Sequence, residues 1–298
     1  MLFYENHDKR AHQISIHHVT DLRNMIESLH RQNSFDEIFY EKLLQYLPDI
    51  SGDPLLQAKS IILVAYKDPP VRFSFAHMGK KIELLIPPTY LHARRKDQEV
   101  FKFLKELPKL NGAFLARASL PRKLMAVCCG LAEYGKNNIT YIKGFGSYHR
   151  MTAFYSDTAC KEDSWREPVM MERCKACLAC TQACPTGAIN PECFLLHAER
   201  CLTNFNEESS DVLFPAWMKR NWHNCLVGCM RCQIICPENK DVRDWVERGE
   251  DFSEEETDWL LSGKPVDEIP DALKEKLTDC DLFDMLEVIP RNLGVFFE

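Results

Sequence analysis

The stretch from Cys174 to Pro237 constrains this chain more than any other. Cys174-x2-Cys177-x2-Cys180-x3-Cys184-Pro185 is followed by Cys229-x2-Cys232-x3-Cys236-Pro237, with Cys201 and Cys225 between them. Two-residue loops bring three thiolates to one point, as a four-iron, four-sulfur cubane requires. Structural zinc prefers two C-x2-C pairs held well apart. Neither the three close cysteines nor the Cys-Pro endings follow from zinc. The two runs lack one thiolate for two complete cubanes.

The first run has the spacing of bacterial ferredoxins, in which the Cys before Pro ligates the other cluster. That crossing rule gives cluster one Cys174, Cys177, Cys180 and Cys236. Cluster two takes Cys184, Cys229 and Cys232, with a fourth thiolate from Cys201 or from Cys225, which lies four residues before Cys229. Cys193 reads as a buried spare thiol.

Charge and cysteine usage narrow the class. Lysine plus arginine number 37 against 44 acidic residues, a net charge of −7, which argues against a general nucleic-acid surface but leaves room for a local basic patch. Arg94-Arg95-Lys96 is such a patch, read as a solvated face. Fourteen cysteines would suggest disulfides in a secreted protein, but eight have a metal explanation. Met1 to Thr20 contains no apolar signal core, and no stretch approaches the length of apolar sequence that spans a bilayer. A reducing, low-oxygen cytoplasm without membrane contact follows as the expectation.

Periodicity gives the outline of the fold. Residues 1–20 alternate loosely and predict an edge strand, followed by a helix over Asp21 to His30 with Leu22, Met25, Ile26 and Leu29 on one face. Ser34-x-x-Glu37 is a capping box opening a second helix that ends at Pro48, and Ser51 to Pro54 is a turn. Ser60 to Tyr66 is continuously apolar and predicts a buried strand. Lys81 to Ile86 predicts another. Asp97 to Leu107 predicts a helix with Val100, Phe101, Phe103 and Leu104 inward. Pro121 opens a helix as its first residue, expected to run through Leu131 and to close near Gly135. Asn138 to Ile142 and His149 to Tyr155 read as strands around a Gly144-Phe145-Gly146 turn, and Cys128-Cys129 as core packing. The aromatics of 204–224 (Phe214, Trp217, Trp222) are expected to shield cluster two. Helices fill the tail: Ser253-x-x-Glu256 caps one, and others run over Pro270 to Leu277 and Leu282 to Ile289, with Phe296-Phe297 docked. The domains expected are 1–165, mixed α+β; 166–245, holding the clusters; and 246–298, a helical tail.

Several segments carry a resemblance. Ala58-Lys59-Ser60-Ile61-Ile62, Leu120-Pro121-Arg122-Lys123-Leu124-Met125-Ala126-Val127 and Gly130-Leu131-Ala132-Glu133-Tyr134-Gly135-Lys136-Asn137-Asn138 resemble the cobalamin-binding half of epoxyqueuosine reductases. Gly146-Ser147 does too. Cys180 to Ile189, Gly228 to Lys240 and Pro290-Arg291-Asn292-Leu293 are similar to later parts of that family. Glu199-Arg200-Cys201-Leu202-Thr203 resembles the segment holding the isolated cluster ligand, and this selects Cys201 over Cys225.

The resemblance implies a nitroreductase-like α+β domain that holds base-off cobalamin, followed by a two-[4Fe–4S] ferredoxin-like domain, an architecture shared with reductive dehalogenases. It implies cofactor contacts at Gly135, Lys136, Asn137, Gly146 and Ser147. A low-potential donor such as ferredoxin or flavodoxin would feed the clusters one electron at a time. The family's Arg-Asp-Tyr-His stretch is replaced by Arg95-Lys96-Asp97-Gln98, leaving Lys96 or Asp97 as the proton source. That replacement, the short chain and the acidic balance give the expectation of a cobalamin-dependent reductase acting on a substrate other than tRNA epoxyqueuosine. A small molecule or a protein-borne corrinoid is expected as substrate or partner, with nucleic acid unlikely. The alternatives are an electron-transfer or reductive-activation protein for a corrinoid partner, and a corrinoid carrier without turnover.

Overall fold

A computed structural model of the chain describes residues 3–32, 40–41, 44, 47, 57–192 and 195–297. The Ser34-x-x-Glu37 capping box, most of its helix, the Ser51 to Pro54 turn and Cys193 lie outside these residues. The strands are β1 (Tyr4–Glu5), β2 (Lys9–Ser15), β3 (Ser60–Lys67), β4 (Val71–His77), β5 (Lys80–Ile86), β6 (Leu115–Ala118), β7 (Glu133–Tyr134), β8 (Thr140–Tyr141), β9 (His149–Ser156) and β10 (Glu247–Phe252). The helices described are α1 (His18–Arg31), α2 (Ala93–Glu106), α3 (Arg122–Cys128), α4 (Ala179–Ala183), α5 (Leu202–Glu207), α6 (Arg231–Ile234), α7 (Glu254–Ser262), α8 (Asp271–Asp279) and α9 (Ile289–Gly294).

The architecture is mixed α+β, in two compact units. One comprises Met1–Lys67 with Arg94–Ala176, the other Asp68–Ala93 with Cys177–Glu298. Residues 68–93, expected with the first domain, and the tail after 245 both belong to the unit that carries most of the cysteines.

In the first unit β3 is the middle strand of an antiparallel sheet ordered β1-β2-β3-β9-β6. Its apolar run is explained by two covered faces. Ile61, Leu63 and Ala65 join a core with Ile14, with Val19, Leu22 and Ile26 of α1, and with Met125 to Val127 of α3. Ile62, Val64 and Tyr66 join a second core with Val100 and Leu104 of α2. Successive strand residues point to opposite faces, so a strand buried on both sides has no polar alternation. β9 is buried at every position. Cys128 and Cys129 are fully enclosed, as core packing requires.

In the second unit β4 and β5 form a hairpin through Met78 (φ 49°) and Gly79 (φ 72°), the two left-handed residues of a tight hairpin turn. β10 adds to β4 in parallel. Phe73, Phe75, Leu84 and Ile86 of the hairpin pack with Phe252, Leu260, Leu273, Leu277 and Leu293. The Ser253–Glu256 capping box forms with both of its hydrogen bonds, and Gly263 ends α7 in the left-handed conformation. Phe296 and Phe297 pack on this core.

Several elements differ from the sequence expectation. β2 is not an edge strand, because Tyr4–Glu5 pairs outside it. β4 was not anticipated, and β10 appears where only helices were expected; its Glu-Arg-Gly-Glu-Asp-Phe sequence has no strand alternation. Pro121 caps α3 instead of opening it, and the helix stops at Cys128, well before Gly135. Asn138 to Ile142 contributes only the two residues of β8. In α2, Val100 and Leu104 are buried but Phe101 is 37% exposed. Leu282 to Ile289 is no continuous helix: a 3-10 turn over Phe283–Met285 precedes α9.

His12 on β2 is 4% exposed and neither ring nitrogen has a hydrogen-bond partner. Burial disfavours its charged form and lowers its pKa. The stability of the neutral ring is therefore present above the unfolded-state value of about 6.5 and falls as pH drops toward the lower folded value. His12→Leu is expected to flatten this acid limb. Urea midpoints of the variant and the parent should converge at pH 8 and separate at pH 5, the variant being the more stable there.

Candidate metal centre

The two cysteine runs fold into the same local shape twice. Cys177 precedes the N-cap residue Leu178, Cys180 is the second residue of α4, and Cys184 caps its C-terminus. Cys229 precedes the N-cap residue Met230, and Cys232 is the second residue of α6. Cys236 then caps a turn begun by Pro237. α4 and α6 pack against each other within the second unit. Cys174 lies in a 3-10 turn, Glu172–Lys175, at the end of the first unit. No disulfide joins the described cysteines, so their sulfurs form the donor set. Among the described residues no three or more His, Cys, Asp or Glu converge at the spacing of a single metal ion.

Cys201 and Cys225 have different surroundings. Cys201 is partly exposed and joins the Ala198–Arg200 turn to α5. Cys225 is fully enclosed, and its thiol donates to Asn224 Oδ1 at 3.0 Å. Asn224 Oδ1 also accepts from the Met230 amide at 2.9 Å, and Asn224 Nδ2 donates to Cys229 Sγ at 3.2 Å. Thr186 Oγ1 lies 3.5 Å from Cys184 Sγ.

A set of buried carboxamides ties these segments together. Asn292 Nδ2 donates to the Asn206 carbonyl at 2.8 Å and to the Leu226 carbonyl at 3.0 Å. Asn206 Nδ2 donates to the Gly228 carbonyl at 2.8 Å. Asn206 is on α5, one turn past Cys201, and Gly228 immediately precedes Cys229. Arg291 donates to the carbonyls of Phe205, Glu208, Ser209 and Val212. Gly228 has a φ of 71°, and a Cβ there would sit 2.8 Å from the Tyr90 hydroxyl, so the loop fits only with glycine. The Leu226 amide pairs with the Leu85 carbonyl of β5 at 2.9 Å. Apart from Gly228 and Pro290 to Leu293, noted as part of the resemblance, these residues were missed in the sequence. An asparagine near a cysteine run gives no signal by itself.

The remaining candidates lie elsewhere. Asp97 is buried on α2 and pairs with Arg117 of β6, Oδ2 to Nη2 at 2.7 Å, which gives it an anchoring role. Lys96 beside it is half-buried. Gly135, Lys136 and Asn137 form the turn between β7 and β8, and Gly146 and Ser147 the next one. All five are buried. A Cβ on Gly135 would lie 2.5 Å from Asn137 Oδ1 and 2.6 Å from Tyr141. The Asn137 amide itself bonds the Tyr141 hydroxyl and the Ile139 amide. The Asn137 amide is thus engaged within its own turn, and no chemical step is routed through a corrin. The expected aromatic shield is also looser than foreseen: Trp217 is 48% exposed and contacts Phe205 and Trp222.

Comparisons with known proteins bear out the resemblance. Residues 173–239 match the family model for a 4Fe-4S double cluster binding domain. An epoxyqueuosine reductase of Leadbetterella byssophila is 30% identical over 47% of this chain and 44% of its own length. One of Pseudomonas aeruginosa is 32% identical over 44% of this chain and 35% of its own. The chain thus matches under half the length of these curated relatives. Among solved structures, epoxyqueuosine reductase from Streptococcus thermophilus superposes with a TM-score of 0.61 at 17% identity, over 96% of this chain and 76% of the other. An epoxyqueuosine reductase with a tRNA-Tyr epoxyqueuosine-modified stem loop gives 0.58 at 22% identity, over 97% and 76%. The structural likeness shows a shared fold.

These findings correct two expectations. The relatives are oxidoreductases named for epoxyqueuosine, and one neighbour is solved with its tRNA stem loop. This overturns a cobalamin-dependent reductase acting on a substrate other than tRNA epoxyqueuosine, and it overturns the expectation that nucleic acid is unlikely. Net charge misled because it averages over the chain. The first unit exposes Arg94, Arg95, Arg117, Arg122 and Lys123, while the tail is rich in acidic residues.

Asn292→Leu removes two buried carbonyl partners at once. Leaving such groups unsatisfied costs roughly 2–4 kcal/mol in total. The variant should unfold at lower urea and lose iron faster to a chelator than the parent. Unchanged values of both would remove the clasp from the account of the site.

Proposed function

We propose that this chain is an iron–sulfur reductase that passes single electrons through two [4Fe–4S] clusters to reduce epoxyqueuosine in tRNA. The repeated cysteine framework carries the reading, supported by the double-cluster match over 173–239 and by relatives named epoxyqueuosine reductase. Cluster one is assigned Cys174, Cys177, Cys180 and Cys236, and cluster two Cys184, Cys201, Cys229 and Cys232. Cys225, its thiol spent on Asn224, is assigned a packing role. A cubane exchanges one electron at a time at a potential set by its surroundings. Reduction of an epoxide consumes two electrons and two protons, so a low-potential one-electron donor such as ferredoxin or flavodoxin must act twice. The exposed arginines of the first unit supply phosphate contacts, as tRNA binding requires. Proton delivery is assigned to the first turn of α2, with Lys96 as donor and Asp97, held by Arg117, fixing that turn.

The test is anaerobic reconstitution followed by turnover. The parent and Cys225→Ser should bind about eight irons, as two cubanes require, and Cys201→Ser markedly fewer. An epoxyqueuosine-modified stem loop should be consumed with reduced flavodoxin. Full iron content without any consumption would sink the proposal.

The cobalamin implied by the resemblance is tested separately. A base-off Co(II) EPR signal at one equivalent would assign a corrinoid to the first unit. An unchanged spectrum with both clusters intact would remove it.

A further inference from the structure

The side-chain amide of Asn224 is held more tightly than packing alone requires. Its Oδ1 accepts two bonds, from the Met230 amide at 2.9 Å and from the Cys225 thiol at 3.0 Å. Oxygen and nitrogen of such an amide are assigned from their partners. With both donors on one side, the oxygen must face them. The NH2 group therefore faces the other way, toward Cys229 Sγ at 3.2 Å and the Trp222 carbonyl at 3.4 Å. Cys229 Sγ stands here for a cluster thiolate. In the first run the Thr186 hydroxyl lies 3.5 Å from Cys184 Sγ.

We propose that Asn224 is a tuning residue, donating a hydrogen bond to the Cys229 sulfur that raises the reduction potential of its cluster. This rests on the reading that the two runs hold clusters. A donor to a ligating sulfur stabilises the more negative, reduced state more than the oxidised one, and hydrogen bonds to the sulfurs are among the factors that set cluster potentials. Cys225 then has a definite role as the clamp that orients this amide. The effect is confined to one cluster, because Asn224 contacts one cysteine sulfur of the two runs.

The test is an EPR-monitored redox titration of the full chain with both clusters reconstituted, comparing the parent with Asn224→Ala and Asn224→Asp. Aspartate keeps the shape and both acceptor bonds but replaces the donor with an oxygen. One midpoint should fall from parent to alanine and further to aspartate, the other staying in place, with iron content unchanged. Unmoved midpoints in iron-complete variants would overturn the proposal, as would equal shifts of both. Loss of iron from both variants would also overturn it, making Asn224 a structural residue. A parent that holds no second reducible cluster would instead refute the cluster reading itself.

Discussion

The carboxamide of Asn292 is the constraint on which the cysteine-bearing unit depends. Its two donated bonds join three distant parts of the chain: the tail helix α9, the Asn206 turn of α5 after Cys201, and the Leu226 loop before Cys229. Asn206 closes the set by bonding Gly228. All of these carbonyls belong to buried residues, so each needs a partner. Arg291 beside it gathers four more carbonyls, one from α5 and three from the loop that follows it. An isolated cysteine such as Cys201, outside either tight run, has no local spacing to place it. Its position comes from this long-range bonding.

The sequence made the local rules legible and the long-range ones obscure. The two cysteine runs, the apolar β3 strand, the Ser253–Glu256 cap and the Gly263 stop could all be read directly, because each rests on spacing within a few residues. β10 could not, since its charged sequence becomes a strand only when β4 offers an edge. Phe101 was placed inward by helical periodicity, yet it stays 37% exposed with its ring beside Phe154, while Val100 and Leu104 are buried. The Asn206, Asn224 and Asn292 network was invisible for the same reason. A buried asparagine is defined by the carbonyls around it, and those come from parts of the chain far away in sequence.

Charge was misread on a similar ground. A total of −7 describes the field far from the molecule, where screening makes it matter least. Contact with a phosphate backbone is decided within about one Debye length. At that range the exposed basic side chains at 94, 95, 117, 122 and 123 count one by one.

The division of the chain has a consequence for its synthesis. The β4–β5 hairpin is made early, from residues 71–86, but its core partners, Phe252, Leu260, Leu277 and Leu293, come last. An isolated two-stranded hairpin is marginal in water. On the ribosome, Phe73 and Phe75 are therefore made long before Phe252, Leu260 and Leu277, which complete their core. The first unit, complete by residue 176, can fold in that interval. The core of the cysteine-bearing unit is thus completed only by residues that follow Cys236 in the chain.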